Sequence, residues 1–71
     1  MSLRSAAQVF DSLRRSLEAF ERLGARYEAA RTREAMASIS STENRRELLL
    51  DALECYQEIG ARRDADRVGP L

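Results

Sequence analysis

Apolar residues recur along the first part of the chain in alternating steps of four and three residues, the spacing of one face of an α-helix. The stripe consists of Ala6, Phe10, Leu13, Leu17 and Phe20. Leu3 extends the stripe backwards, and Ser5 followed by Gln8 has the spacing of a capping box at a helix N-terminus. The pattern therefore predicts a helix over about residues 3–23.

Residues that interrupt helices are few: the only glycines are Gly24, Gly60 and Gly69, and the only proline is Pro70. If Gly24 takes the left-handed conformation that often follows a helix, a Schellman motif pairs Phe20 with Ala25. Gly60 stands in the same relation to an aromatic residue four places earlier. We therefore predict two helices that end in the same way, one at each of these glycines.

The rest of the chain predicts three further helices. They are a shorter alanine-rich helix over 26–39, a third helix over 42–59 with a broad apolar face, and a short helix over 61–68. Ser40 and Glu43 have capping-box spacing before the third helix. No segment alternates β-branched and polar residues over the length of a strand. The predicted fold is a single all-α domain, 1–71, of antiparallel helical hairpins with three long helices and a short C-terminal helix.

Composition restricts the functional classes. Twelve arginines balance twelve acidic residues, so the chain lacks the broad positive field that attracts nucleic acid or anionic lipid. Histidine is absent and Cys55 is the only cysteine, which removes the usual general base and the commonest metal ligand. We therefore expect no enzymatic activity, no cofactor and no nucleic-acid or membrane partner. No stretch is apolar enough for a secretory signal or membrane span, which favours a soluble, cytoplasmic protein.

The sequence contains an internal repeat with a period of 36 residues. Residues 16–26 align with residues 52–62, and five of these eleven pairs are identical. The glycine that ends the helix and the aromatic residue four places before it recur together. A fixed period of this size indicates a repeat architecture.

The repeated pattern resembles the tetratricopeptide-like repeats of bacterial signalling regulators. Its first copy runs from Leu17 through Phe20 and Leu23 to Gly24-Ala25-Arg26, and its second from Leu53 through Tyr56 and Ile59 to Gly60-Ala61-Arg62. The resemblance implies helix pairs that stack through small and aromatic residues, and a non-enzymatic role in protein–protein interaction. It also implies a concave groove that receives a protein or peptide partner.

The candidate groove residues lie on the shorter helix and are Arg26, Tyr27, Arg31 and Glu34. The alternative for Tyr27 is that it packs against the helix before it. For Cys55 we expect a small residue on a partly buried helix face rather than a redox centre. Glu18 with Arg22 and Glu58 with Arg62 have the favourable order for ion pairs within a helix.

Self-association is the further expectation, because repeats of this kind need about three units to bury a continuous core and this chain has fewer than two. The candidate contact residues are Phe10, Leu13, Leu17, Leu49, Leu53 and Tyr56. A two-fold dimer is the commonest outcome for such a surface.

Two other interpretations remain open. The first is a structural coiled-coil or four-helix-bundle dimerisation element, which the spacing of the first helix favours. The second is a DNA-binding helix-turn-helix made of the second and third helices, which the neutral charge disfavours.

Overall fold

A computed structural model describes residues 5–69 as four helices. They are α1 (Ala6–Leu23), α2 (Arg26–Ser38), α3 (Thr42–Ile59) and α4 (Arg62–Val68). This part of the chain contains no strand, so the all-α prediction is confirmed. The proposed extension of the first helix to Leu3 lies outside the described residues.

The beginning of α1 has the predicted capping box. The backbone N–H of Gln8 donates to Ser5 Oγ at 3.3 Å, and the Ser5 N–H donates to Gln8 Oε1 at 3.1 Å. Each bond satisfies a backbone donor that a helix N-terminus leaves without an intrahelical partner.

Both predicted glycine ends are confirmed. Gly24 has φ 71° and Gly60 has φ 76°, the left-handed conformation that glycine adopts at little cost. After Gly24, the Ala25 N–H donates to the carbonyl of Phe20 at 2.9 Å, and the equivalent bond from Ala61 to Tyr56 is 2.8 Å. These are Schellman bonds, and they allow the chain to reverse direction twice within one or two residues.

The connection between α2 and α3 differs from the prediction. α2 ends at Ser38, and the N-cap of α3 is Ser41, whose side chain makes no capping bond. The capping box proposed for Ser40 is wrong because the Ser40 hydroxyl donates instead to the Met36 carbonyl at 2.6 Å. Ser40 therefore completes the end of α2 rather than the beginning of α3.

The internal repeat is reproduced in the helix boundaries. The bounds of α1, moved by 36 residues, are those of α3, and the first residue of α2 moves onto the first residue of α4. Ala25 and Ala61, which precede α2 and α4, have nearly the same backbone angles, at φ −81°, ψ 77° and φ −79°, ψ 74°. The chain is thus two copies of one helix–turn–helix unit, and the second copy has the shorter second helix.

Each helix packs against its neighbours in the chain, so the contacting pairs are α1 with α2, α2 with α3, and α3 with α4. The central helix α2 is the most buried, with Ala29, Ala30, Thr32, Met36 and Ala37 inside. A core cluster joins Ala30 of α2 with Ala52 and Tyr56 of α3 and Val68 of α4. Small side chains on α2 allow this close approach of neighbouring helices.

Candidate functional site

An open cavity of about 460 Å³ lies between the first helices of the two repeats. The end of α1 forms one side with Phe20, Glu21 and Gly24. The beginning of α2 forms the floor, and α3 forms the opposite wall with Asp51, Glu54, Cys55 and Glu58. The repeat creates this arrangement because it places two equivalent helices on either side of α2.

Two ion pairs connect the helices around the cavity. Arg26 on the floor pairs with Glu58 of α3, and Arg33 pairs with Glu21 of α1 at 3.3 Å. Asp51 and Glu54 also line the wall, and neither forms an ion pair with a residue of the described part of the chain. The cavity therefore presents acceptor oxygens, which suit a cationic or hydrogen-bond-donating side chain.

Of the four predicted groove residues, the structure places only Arg26 in this cavity. Glu34 accepts two bonds from Arg67 Nη2 of α4, at 2.6 and 2.9 Å. Arg31 Nη1 donates to Tyr27 Oη at a long 3.5 Å. The predicted groove residues therefore do not coincide with the lining of this cavity, and their role in partner binding stays a prediction.

Tyr27 has an aromatic partner on α3. Its ring lies 5.8 Å from the ring of Tyr56, at an interplanar angle of 57°. Tilted aromatic pairs at this separation are favourable. Tyr27 of α2 therefore has a packing partner on α3, the helix that follows.

The acidic residues of the cavity wall were missed as a site because helix surface explained each of them in isolation. The predicted i,i+4 pairs Glu18–Arg22 and Glu58–Arg62 are absent among the described ion pairs. Glu58 pairs instead with Arg26, which lies 32 positions away in the sequence. The repeat was the available signal, since it places the ends of α1 and α3 on either side of α2.

The predicted self-association residues divide into three groups. Phe10, Leu13 and Leu17 are half-buried on α1, a helix that has no fully buried residue. Leu49 and Leu53 are half-buried against the core cluster. Tyr56 has no exposed surface at all, so its assignment to a contact between copies is corrected: it belongs to the core of its own chain.

A second polar cluster joins α4 to the rest of the molecule. Arg67 bonds Glu34 of α2 and also donates to Asp64 Oδ1 at 2.8 Å. The hydrogen bond from the Arg67 guanidinium lowers the pKa of Asp64. Burial, and after it the nearby Glu34 carboxylate, raises the pKa of the Tyr56 phenol.

Cys55 is half-buried, as expected, and its thiol donates to the Arg26 carbonyl at 3.2 Å. Over residues 5–69, no group of three or more histidine, cysteine, aspartate or glutamate side chains is arranged to hold a metal ion. Within the same range, every helix is too short or too polar to cross a bilayer.

No protein-family model matches the chain, and no curated protein or solved structure is significantly similar to it.

Proposed function

We propose that the chain is a non-enzymatic protein–protein interaction module built from tetratricopeptide-like helix pairs, and that it associates with further copies of itself. The observation that carries this proposal is the coincidence of the 36-residue repeat with the helix boundaries. Repeats of this type fold by stacking on neighbours, and two units leave a terminal face uncovered. Such a module is of the kind found in bacterial signalling regulators.

The uncovered face can be located by comparing equivalent residues. In the second repeat, α2 covers Ala52 and Tyr56, and the backbone and side chain of Arg26 bond Cys55 and Glu58. The equivalent positions on α1 are Ser16, Phe20, Ala19 and Arg22, and nothing in the described chain occupies the place before α1. This face of α1 is where a second copy would pack.

Leu23 supports the same location. It follows Ala19 by one helical turn, which places both on one side of α1, and its side chain is 79% exposed. An exposed leucine beside small residues and a half-buried Phe20 suits close packing of another helix.

The cavity between α1 and α3 supports a second binding role, in which a peptide segment enters between the two repeats. Asp51 and Glu54 favour a segment that carries an arginine or lysine side chain.

Sedimentation velocity over a wide range of protein concentration tests self-association directly. We expect the weight-average sedimentation coefficient to rise with concentration. A folded monomer at every concentration would contradict the proposal.

A pair of leucine variants tests the location of the contact. Leu23→Glu places a charge on the proposed face without filling or emptying the core, so it should weaken association by about tenfold or more while helix content is retained. Leu50→Glu is the matched control, because Leu50 is a 45% exposed leucine on α3. Weakening by Leu50→Glu but not by Leu23→Glu would move the contact away from α1.

A further inference from the structure

The last described helix, α4, is the shortest of the four. It has seven residues, and Val68 is the only one of them that is buried. The equivalent helix of the first repeat, α2, buries five residues. The N-cap of α4 is Ala61, which offers no side-chain bond to the helix. Val68, the half-buried Ala65 and the bonds of Arg67 to Glu34 therefore hold α4 in place.

Docking of α4 encloses a polar atom that finds no partner. Val68 packs with Ala30, Ala52 and Tyr56, and the Tyr56 hydroxyl has neither exposed surface nor a hydrogen bond to any described residue. The Glu34 carboxylate lies near the phenol and accepts from Arg67, but the Tyr56 hydroxyl forms no hydrogen bond with it. A buried hydroxyl without a partner is unfavourable compared with one that bonds water.

This penalty belongs to the closed arrangement alone. If α4 moves away, water reaches the phenol and the hydroxyl is satisfied. The movement needs a hinge, and one is present at the left-handed Gly60, which joins α3 to α4 with open space around its Cα. The bond from Arg67 to Glu34 of α2 opposes the movement, and it is partly solvent-exposed, so water and salt weaken it.

We propose that α4 is a displaceable cover that detaches at Gly60, unfolds once undocked because a seven-residue helix is too short to be stable alone, and exposes the apolar surface of Ala30, Ala52 and Tyr56 while α1, α2 and α3 stay folded. The orphan hydroxyl of Tyr56 lowers the cost of opening, and the bridge of Arg67 to Glu34 raises it. The second repeat thereby alternates between a closed surface and an open one.

Native-state hydrogen exchange followed by NMR on the full chain tests this cover. The reporters are the amides of Ala65 and Gly69, which bond the carbonyls of Ala61 and Ala65 at 3.0 and 2.7 Å within α4. We expect them to exchange faster than the amides of the α2–α3 core, through an opening that depends little on denaturant. Exchange of the α4 reporters only through global unfolding would overturn the proposal.

Two substitutions separate the cover from general fraying of the C-terminus. Tyr56→Phe removes the orphan hydroxyl and retains the ring, so it should slow exchange of the α4 reporters by roughly tenfold. Tyr27→Phe is the matched control, because its hydroxyl belongs to a 39% exposed side chain, and it should produce no slowing. Unchanged or faster exchange in Tyr56→Phe would show that the hydroxyl is satisfied in the closed state and would overturn the inference.

Discussion

Phe20 and Tyr56 occupy the same position in the two repeats, yet only Tyr56 is fully enclosed. Both precede a left-handed glycine by four residues, and both accept the Schellman bond from the following alanine. Tyr56 lies between α2 and α4, whereas α2 is the only helix of the described residues that contacts α1, the helix of Phe20. The same local sequence thus specifies the same turn, and the neighbouring helices decide how much the aromatic residue contributes to the core.

The largest predicted difference between the repeats is the cost of removing these two rings. Tyr56→Ala leaves a cavity in the core and should cost about 3–5 kcal/mol, which is enough to unfold a domain of this size. Phe20→Ala removes a half-buried ring and should cost about 1–2 kcal/mol. Urea unfolding followed by circular dichroism measures both values. Equal costs would mean that the face of α1 is already covered.

The two helix ends should respond alike to substitution of their glycines. Gly24→Ala and Gly60→Ala each force a Cβ into the left-handed region, at roughly 1–2 kcal/mol, and no atom within 4 Å adds a clash at either site. Thermal unfolding of the two variants measures the cost. A gain in stability or helix content at Gly24 would support the continuous coiled coil instead of the hairpin.

The N-termini of α1 and α3 should respond differently to substitution of their capping residues, although their C-termini respond alike. Ser5 caps α1 through its hydroxyl, while the equivalent Ser41 makes no side-chain capping bond. We therefore expect Ser5→Ala to cost about 1 kcal/mol and Ser41→Ala to have almost no effect. Urea midpoints of the two variants test this contrast, and a larger loss at Ser41 would contradict the described geometry of the α2–α3 connection.

The smallest predicted effect concerns the pH dependence of the bridge at α4. Arg67 lowers the pKa of Asp64 in the folded protein. The ionised carboxylate therefore stabilises the folded state at pH values above the pKa that Asp64 has in the unfolded chain. This stabilisation is lost as the pH falls through the lower pKa of the folded state. Arg67→Gln should raise the pKa of Asp64 towards its ordinary value. The carboxyl of Asp11, whose pKa is lowered by Arg14 and then Arg15, is the internal control and should not change. NMR titration of both carboxyls measures the result, and an unchanged Asp64 would remove Arg67 as the cause.

Sequence reasoning recovered the features that depend on local chemistry. The period of α1, the capping box at Ser5 and the two glycine ends follow from spacing within a few residues, and all are present in the structure. Sequence reasoning failed where one side chain had two possible hydrogen-bond partners. Ser40 had the correct spacing from Glu43 but bonded the end of α2 instead.

The candidate site was recovered less completely because it depends on contacts between distant residues. Arg26 lies in the cavity as expected, whereas Glu34 turns to Arg67, a partner 33 positions away. The spacing of Glu58 and Arg62 predicts an ion pair between them, but Arg62 begins α4 beyond Gly60, and Glu58 pairs with Arg26 of α2. The orientation of α2 about its own axis, relative to α1 and α3, decides these partners. The sequence of one helix alone does not determine that orientation.

The most direct test of the account follows the amide chemical shifts of α1 by NMR as the protein concentration is raised. If a second copy packs on the uncovered face of α1, the amide chemical shifts of Ser16, Phe20 and Leu23 should change with protein concentration. Those of the core residues Ala52 and Tyr56 should not. Shifts that are independent of concentration throughout α1, in a folded chain, would contradict the central claim that another copy packs on this helix.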